Sequence, residues 1–126
     1  DLSTLGLRAA QYAASLCQSF LGSLTLLHVI QNTPKEMPAR RLLEKAVRQE
    51  LALLVPSDPN LSAHADVRFG DPAEEILQLA ELSNTSMIVM AARHGSMVAD
   101  HAPWATLSRV IHKARCGVLV IRGHLA

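Results

Sequence analysis

Two hydrophobic periods take turns along this chain, and that alternation constrains the fold more than any single motif. Leu5, Ala9, Tyr12, Ala13, Leu16, Cys17 and Phe20 recur at spacings of three and four, which predicts a helix with one apolar face. After Gly22, "SLTLLHVI" (Ser23 to Ile30) is apolar with little alternation, as a strand covered on both faces should be. "QNTPKEMP" reads as a loop. Within Ala39 to Val55, the residues Leu42, Leu43, Ala46, Val47, Leu51 and Leu54 mark a second helical stripe. "PSDPN" breaks the chain, and "HADVRFG" (His64 to Gly70) alternates like a strand nearer a sheet edge.

The third helix carries its own start signal. In "DPAEEILQLAELS", Asp71 can cap, Pro72 suits the first helical position, and Glu74 stands where a capping-box acid would. Its inner face should be Ala73, Ile76, Leu77 and Ala80. "SMIVMAA" is again a strand. Trp104, Leu107, Val110, Ile111 and Ala114 form a fourth helical stripe, and "GVLVIRG" (Gly117 to Gly123) a last strand. Strict alternation of helix and strand predicts an α/β domain with a doubly wound parallel sheet and helices on both faces. Ligands in such folds sit beyond the C-terminal ends of the strands.

Composition excludes several functions. The 126 residues suit one domain, and 12 basic against 11 acidic side chains give a formal net charge of +1. That balance offers no electrostatic footprint for nucleic acid or a membrane surface. No apolar run nears the roughly 20 residues of a bilayer-spanning helix. The isolated Cys17 and Cys116 sit among apolar neighbours and read as buried thiols in a reducing, cytoplasmic setting. His94, Asp100 and His101 share one segment, but their spacing matches no familiar metal site and they read as solvated loop residues. No Ser–His–Asp set, carboxylate pair or nucleophile elbow has the context a hydrolase needs, so catalysis is not expected.

The segments quoted also carry a family resemblance. "DLSTLGLRAAQYAASLCQSFLGSLTLLHVI" resembles the opening of a universal stress protein domain, and "RFGDPAEEILQLAE" is similar to that family's "G-x-P-x-x-x-I-x-x-A" segment. "MIVMAARHG" falls where "LIVMGxxG" is usual, and "RVIHKARCGVLVIR" resembles the closing "RVLxxAxCPVLVVR", with Gly117 in the proline position. The resemblance spans essentially the whole chain and keeps the motifs in order. It implies a Rossmann-like (HUP) adenine-nucleotide-binding fold with strand order 3-2-1-4-5. It further implies that the first, central strand would precede Asp1, so that residues 1–126 form one domain lacking that strand, or one copy of a tandem protein.

The nucleotide loop is where the chain departs from the pattern. Members that hold ATP carry G-x2-G-x9-G-[ST] after the fourth strand, and those positions fall on Ala91, His94, Trp104 and Ala105. All three glycines and the hydroxyl are absent. Glycine lets the backbone come close to phosphate oxygens and take positive φ, which costs other residues about 1–2 kcal/mol. An indole at Trp104 would stand where phosphates enter, and its stripe predicts a mostly buried ring. A shifted register, Gly95 with Ala105 and Thr106, restores the gap and a hydroxyl, but a one-residue helix deletion would turn the stripe by about 100°.

The site implied by the resemblance thus comprises Asp1, Val29, Met90, Ala91, Arg93, His94, Gly95, Ala105 and Thr106. Arg93 and His94 offer positive charge and donors to an anion. Asp1 holds the position that contacts the adenosine portion, and serves equally well as the cap of the first helix. The expectation is a stress-response association module that binds ATP or another adenine nucleotide weakly or not at all. The alternative is an adenine-nucleotide switch with slow hydrolysis, using Gly95 and Thr106. The resemblance also implies pairing through residues 117–123, as a homodimer or with a sister domain.

Overall fold

The computed structural model describes residues 4–93 and 101–123, and the predicted elements occur there in the predicted order. They are α1 (Thr4–Phe20), β1 (Ser23–Ile30), α2 (Met37–Leu53), β2 (Ser62–Phe69), α3 (Pro72–Leu82), β3 (Met87–Arg93), α4 (His101–Lys113) and β4 (Gly117–Gly123). The molecule is an α/β domain with parallel strand pairing. β1 lies beside β2 in a register that sets Ser23 opposite Ser62 and Ile30 opposite Phe69. β3 lies beside β4, from Met87 opposite Gly117 to Arg93 opposite Gly123. Among the described residues these are two separate two-stranded sheets. Helix α1 packs on β1, β3 and β4 and so touches both.

Small residues make that contact possible. The face of α1 that is buried consists of Leu5, Gly6, Ala9, Ala10, Ala13 and Ala14. Ala10, Ala13 and Ala14 join Leu24 and Leu26 of β1, Leu51 of α2 and Val67 of β2 in one core, against which Val89 of β3 also packs. Leu51 and Val110 keep only 3% and 0% of their surface exposed, and burying each such side chain contributes about 1.5–3 kcal/mol.

Several stripe positions lie elsewhere than the sequence suggested. Tyr12, Phe20, Leu42 and Ile111 are exposed, as is Ala46. Tyr12 sits about 110° around the helix from the centre of the alanine face, too far to reach the sheet. Phe20 closes the last turn of α1. Cys17 and Cys116 are free thiols, each half-buried instead of buried; burial still pushes the Cys17 thiol above its ordinary value.

The start of α3 follows its sequence signal. Asp71 is extended at the N-cap, and its Oδ2 accepts from the Glu74 N–H at 3.0 Å. Two helices end in the same way at the other side. The Gly22 N–H donates to the Cys17 carbonyl, and the Thr85 N–H to the Ala80 carbonyl, each at 2.9 Å. This bond closes around a left-handed residue, and those residues are Leu21 (φ 55) and Asn84 (φ 50). Asparagine tolerates that conformation; leucine does not. Leu21 is 95% exposed, so no packing compensates. Leu21→Gly is therefore expected to stabilise the protein by about 1 kcal/mol, raising Tm by roughly 3–5 °C. Asn84→Gly should change it by only a few tenths of that in a parallel thermal melt.

Candidate functional site

Strands β1 and β3 carry four of the nine predicted site residues. Val29 is half-buried one residue before the end of β1, opposite Arg68. Met90 and Ala91 are half-buried in β3, opposite Val120 and Ile121, and Arg93 ends that strand opposite Gly123. Ala105 and Thr106 stand in the first half of α4, Ala105 exposed and Thr106 half-buried. Because α4 packs on β3, the structure brings Met90, Ala91, Ala105 and Thr106 into neighbouring elements. Val29 belongs to the other sheet. Asp1, His94, Gly95 and Asp100 lie outside the described residues.

Ala91 sits inside a regular parallel ladder, in the middle of a seven-residue strand. A residue so placed has extended backbone and carries a methyl group where a glycine would have only a hydrogen. That is the local physical content of the glycine's absence.

Trp104 corrects the sequence reading. The indole is 45% exposed, so it does not fill a core gap. The reason lies in the helix rotation. Leu107 and Val110, 5% and 0% exposed, define the inward face of α4. Trp104 and Ile111 sit about 70–90° to one side of its centre, close enough to share the stripe's spacing yet outside the buried arc. Trp104→Ala should accordingly cost about 1 kcal/mol or less, not the 3 kcal/mol or more of a buried ring. Because the chain has one tryptophan, its emission should report a wet indole. A strongly blue-shifted emission with a large drop in Tm on mutation would restore the buried reading.

The electrostatics around the site's neighbours are settled by local pairs. The Glu74 N–H, and behind it the Arg109 guanidinium 2.9 Å away, hold the Asp71 carboxyl below its usual range. Arg109 also reaches Glu74 at 3.7 Å, which ties α4 to the start of α3. Arg68 stands 3.5 Å from both Asp66 and Glu75, and the Arg40 guanidinium lies 4.4 Å above the Phe69 ring. Burial pushes the His28 imidazole below its ordinary value, which favours its neutral form and suits a structural residue in a strand. Sequence reasoning missed the Arg109 tether. Its only sequence signal was an arginine on the helix following an acid-capped one.

A groove of about 370 Å³ lies at the far ends of α3 and α4, lined by Leu77, Asn84, Lys113 and Cys116 among others. It contains none of the predicted site residues. The Glu81–Arg115 pair, 3.3 Å apart, crosses its lining, so its charge is largely spent internally. Among the described residues, no group of three His, Cys, Asp or Glu side chains is arranged to hold a metal ion, and no helix is long and apolar enough to cross a membrane.

Parallel strand pairs and helical connections define a Rossmann-like α/β domain. The chain belongs to the universal stress protein family, whose profile matches residues 1–122. A universal stress protein from Methanothermobacter thermautotrophicus is 34% identical over 92 residues, covering 70% of this chain and 62% of that protein. A universal stress protein structure from Archaeoglobus fulgidus superposes with a TM-score of 0.67 at 24% identity, covering 97% of this chain and 41% of the other. Another from the same organism, in complex with dAMP, gives 0.71 at 14% identity over 94% of this chain and 89% of the other. The matched region therefore spans less than two thirds of the first two relatives.

Proposed function

We propose that this chain is a stress-response association module whose nucleotide site has lost its phosphate cradle. The observation that carries this reading is the set of side chains at the four positions where nucleotide-holding members carry the glycines and hydroxyl. Ala91 is built into the β3 ladder, Trp104 projects a half-exposed indole at the head of α4, and His94 and Ala105 supply neither glycine nor hydroxyl. Losing two charge-assisted hydrogen bonds, worth roughly 1.5–3 kcal/mol each, weakens a nucleotide by about a hundredfold or more.

The second reading is an adenine-nucleotide switch with slow hydrolysis, using Gly95 and Thr106. The dAMP complex of the Archaeoglobus relative favours it, as does a hydroxyl on α4 beside β3. In either reading the domain has the strand order 3-2-1-4-5, with a further parallel strand between β1 and β3, and works in the cytoplasm. It pairs with a second copy, or with a sister domain of a tandem protein, through β4. Mass spectrometry of the extract from heat-denatured purified protein separates the two readings. No stoichiometric nucleotide is expected, whereas ATP or another adenine nucleotide near one per chain would establish the switch.

A further inference from the structure

Helix α2 lays a charged ridge along the outer edge of β2. The Gly70 N–H donates to the Ile30 carbonyl at 3.0 Å, and Ile30 stands opposite Phe69. In a parallel ladder a residue bonds to the neighbours on either side of its partner, so every second residue of each strand faces the other. Ser62, His64, Asp66 and Arg68 therefore turn their N–H and C=O toward β1, and Ala63, Ala65, Val67 and Phe69 turn theirs away from it. No other described strand lies on that outer side. The Arg48 guanidinium stands there instead, where its Nη1 donates to the Ala65 carbonyl at 2.8 Å.

Two further contacts hold that ridge in place. The Arg48 Nη2 donates to Glu44 Oε1 at 3.0 Å, one turn back along the helix. One turn before that, the Arg40 guanidinium lies 4.4 Å from the centre of the Phe69 ring. The spacing of the helix matches that of the strand it packs on. Eight helical residues rise about 12 Å, and four strand residues about 13 Å. Helix α2 thus runs antiparallel to β2, with Arg40 at Phe69 and Arg48 at Ala65. A strand added to β2 would lie about 4.8 Å from it. Its N–H donors would need the carbonyl that Arg48 holds, and its backbone the space that the guanidinium fills.

We propose that Arg48 is a built-in block on strand addition at β2, an intramolecular contact that keeps this edge from pairing with the same edge of a second copy. An edge strand presents a row of backbone groups to any extended chain. Here the newcomer would first have to displace a charge-assisted hydrogen bond from Ala65. The block involves neither the nucleotide loop nor β4, so it stands or falls separately from the function proposed above.

Arg48→Ala is expected to sediment at about twice the mass of the unmodified protein or more at high micromolar concentration. Its thermal melt should stay close to that of the unmodified protein, because the Arg48 side chain is 45% exposed; Arg48→Met, which keeps the apolar stem, should behave alike. Arg48→Lys retains a charged donor and should keep the original size. So should Arg41→Ala, which removes an exposed cation of the same helix. Ala63→Pro removes an outward N–H and leaves the β1 ladder intact, so R48A/A63P should return to the original size. Hydrogen exchange gives a readout that needs no proline variant: the outward amides of Ala65 and Val67 should slow in the Arg48→Ala assembly. The unmodified protein is the reference whether it is monomer or dimer, so failure of β4 pairing and failure of the block are read apart. Unchanged size for both Arg48→Ala and Arg48→Met would overturn the proposal. So would equal growth for Arg41→Ala, growth that persists in folded R48A/A63P, or growth without slowing at Ala65 and Val67.

Discussion

Val120→Lys is expected to abolish the proposed pairing through β4, giving monomer or aggregate and weakening association by more than a hundredfold. Among the described residues β4 pairs with β3 alone, so no other described strand lies along its second edge. Val118, Leu119, Val120 and Ile121 are all half-buried, apolar on both faces. An edge strand without proline, whose one charged residue is Arg122 at its end, is a template for pairing along Val118 to Ile121. The proposed antiparallel pairing with a second copy across a two-fold axis would satisfy that edge's backbone and cover the valines. A lysine inside that contact introduces an uncompensated charge, which costs about 3–5 kcal/mol. Gly117 stands in the position where proline is usual, so one further N–H is available to the pairing.

Sedimentation velocity at high micromolar concentration checks this, with a thermal melt of the variant to show that the monomer is folded. Val120→Pro serves as a second variant. A stable monomer from the unmodified protein would remove the association reading's physical support.

The order of elements was legible in the sequence because the local signals agreed. β1 runs from Ser23 to Ile30 as read, since Gly22 and the loop after Ile30 bound a dense apolar run. The Asp71–Pro72 start of α3 held because capping is a contact between residues close in sequence. Helix faces were less legible. Spacing alone cannot tell a centre from a margin, so Trp104 and Ile111 entered a stripe whose true centre is Leu107 and Val110. In α1, Ala10 and Ala14 proved more buried than Tyr12 or Phe20, because close helix–sheet approach selects small side chains. In α2, Leu42 and Ala46 share the spacing of the stripe and yet are exposed. Leu21's left-handed turn gave no warning either, as leucine is the wrong residue for it. The candidate site was legible only through family spacing. Val29, Met90, Ala91, Ala105 and Thr106 lie on elements that suit a ligand edge, but their side chains carry too little charge or reactivity for the residues alone to indicate chemistry.

Isothermal calorimetry with ATP tests the central claim most directly. The proposed reading is that Ala91, His94, Trp104 and Ala105, in place of the glycines and hydroxyl, deny a triphosphate its backbone cradle. The account predicts no binding tighter than about 1 mM, near −4 kcal/mol. A low-micromolar Kd would contradict it, and Gly95 and Thr106 would then be the residues holding the phosphates.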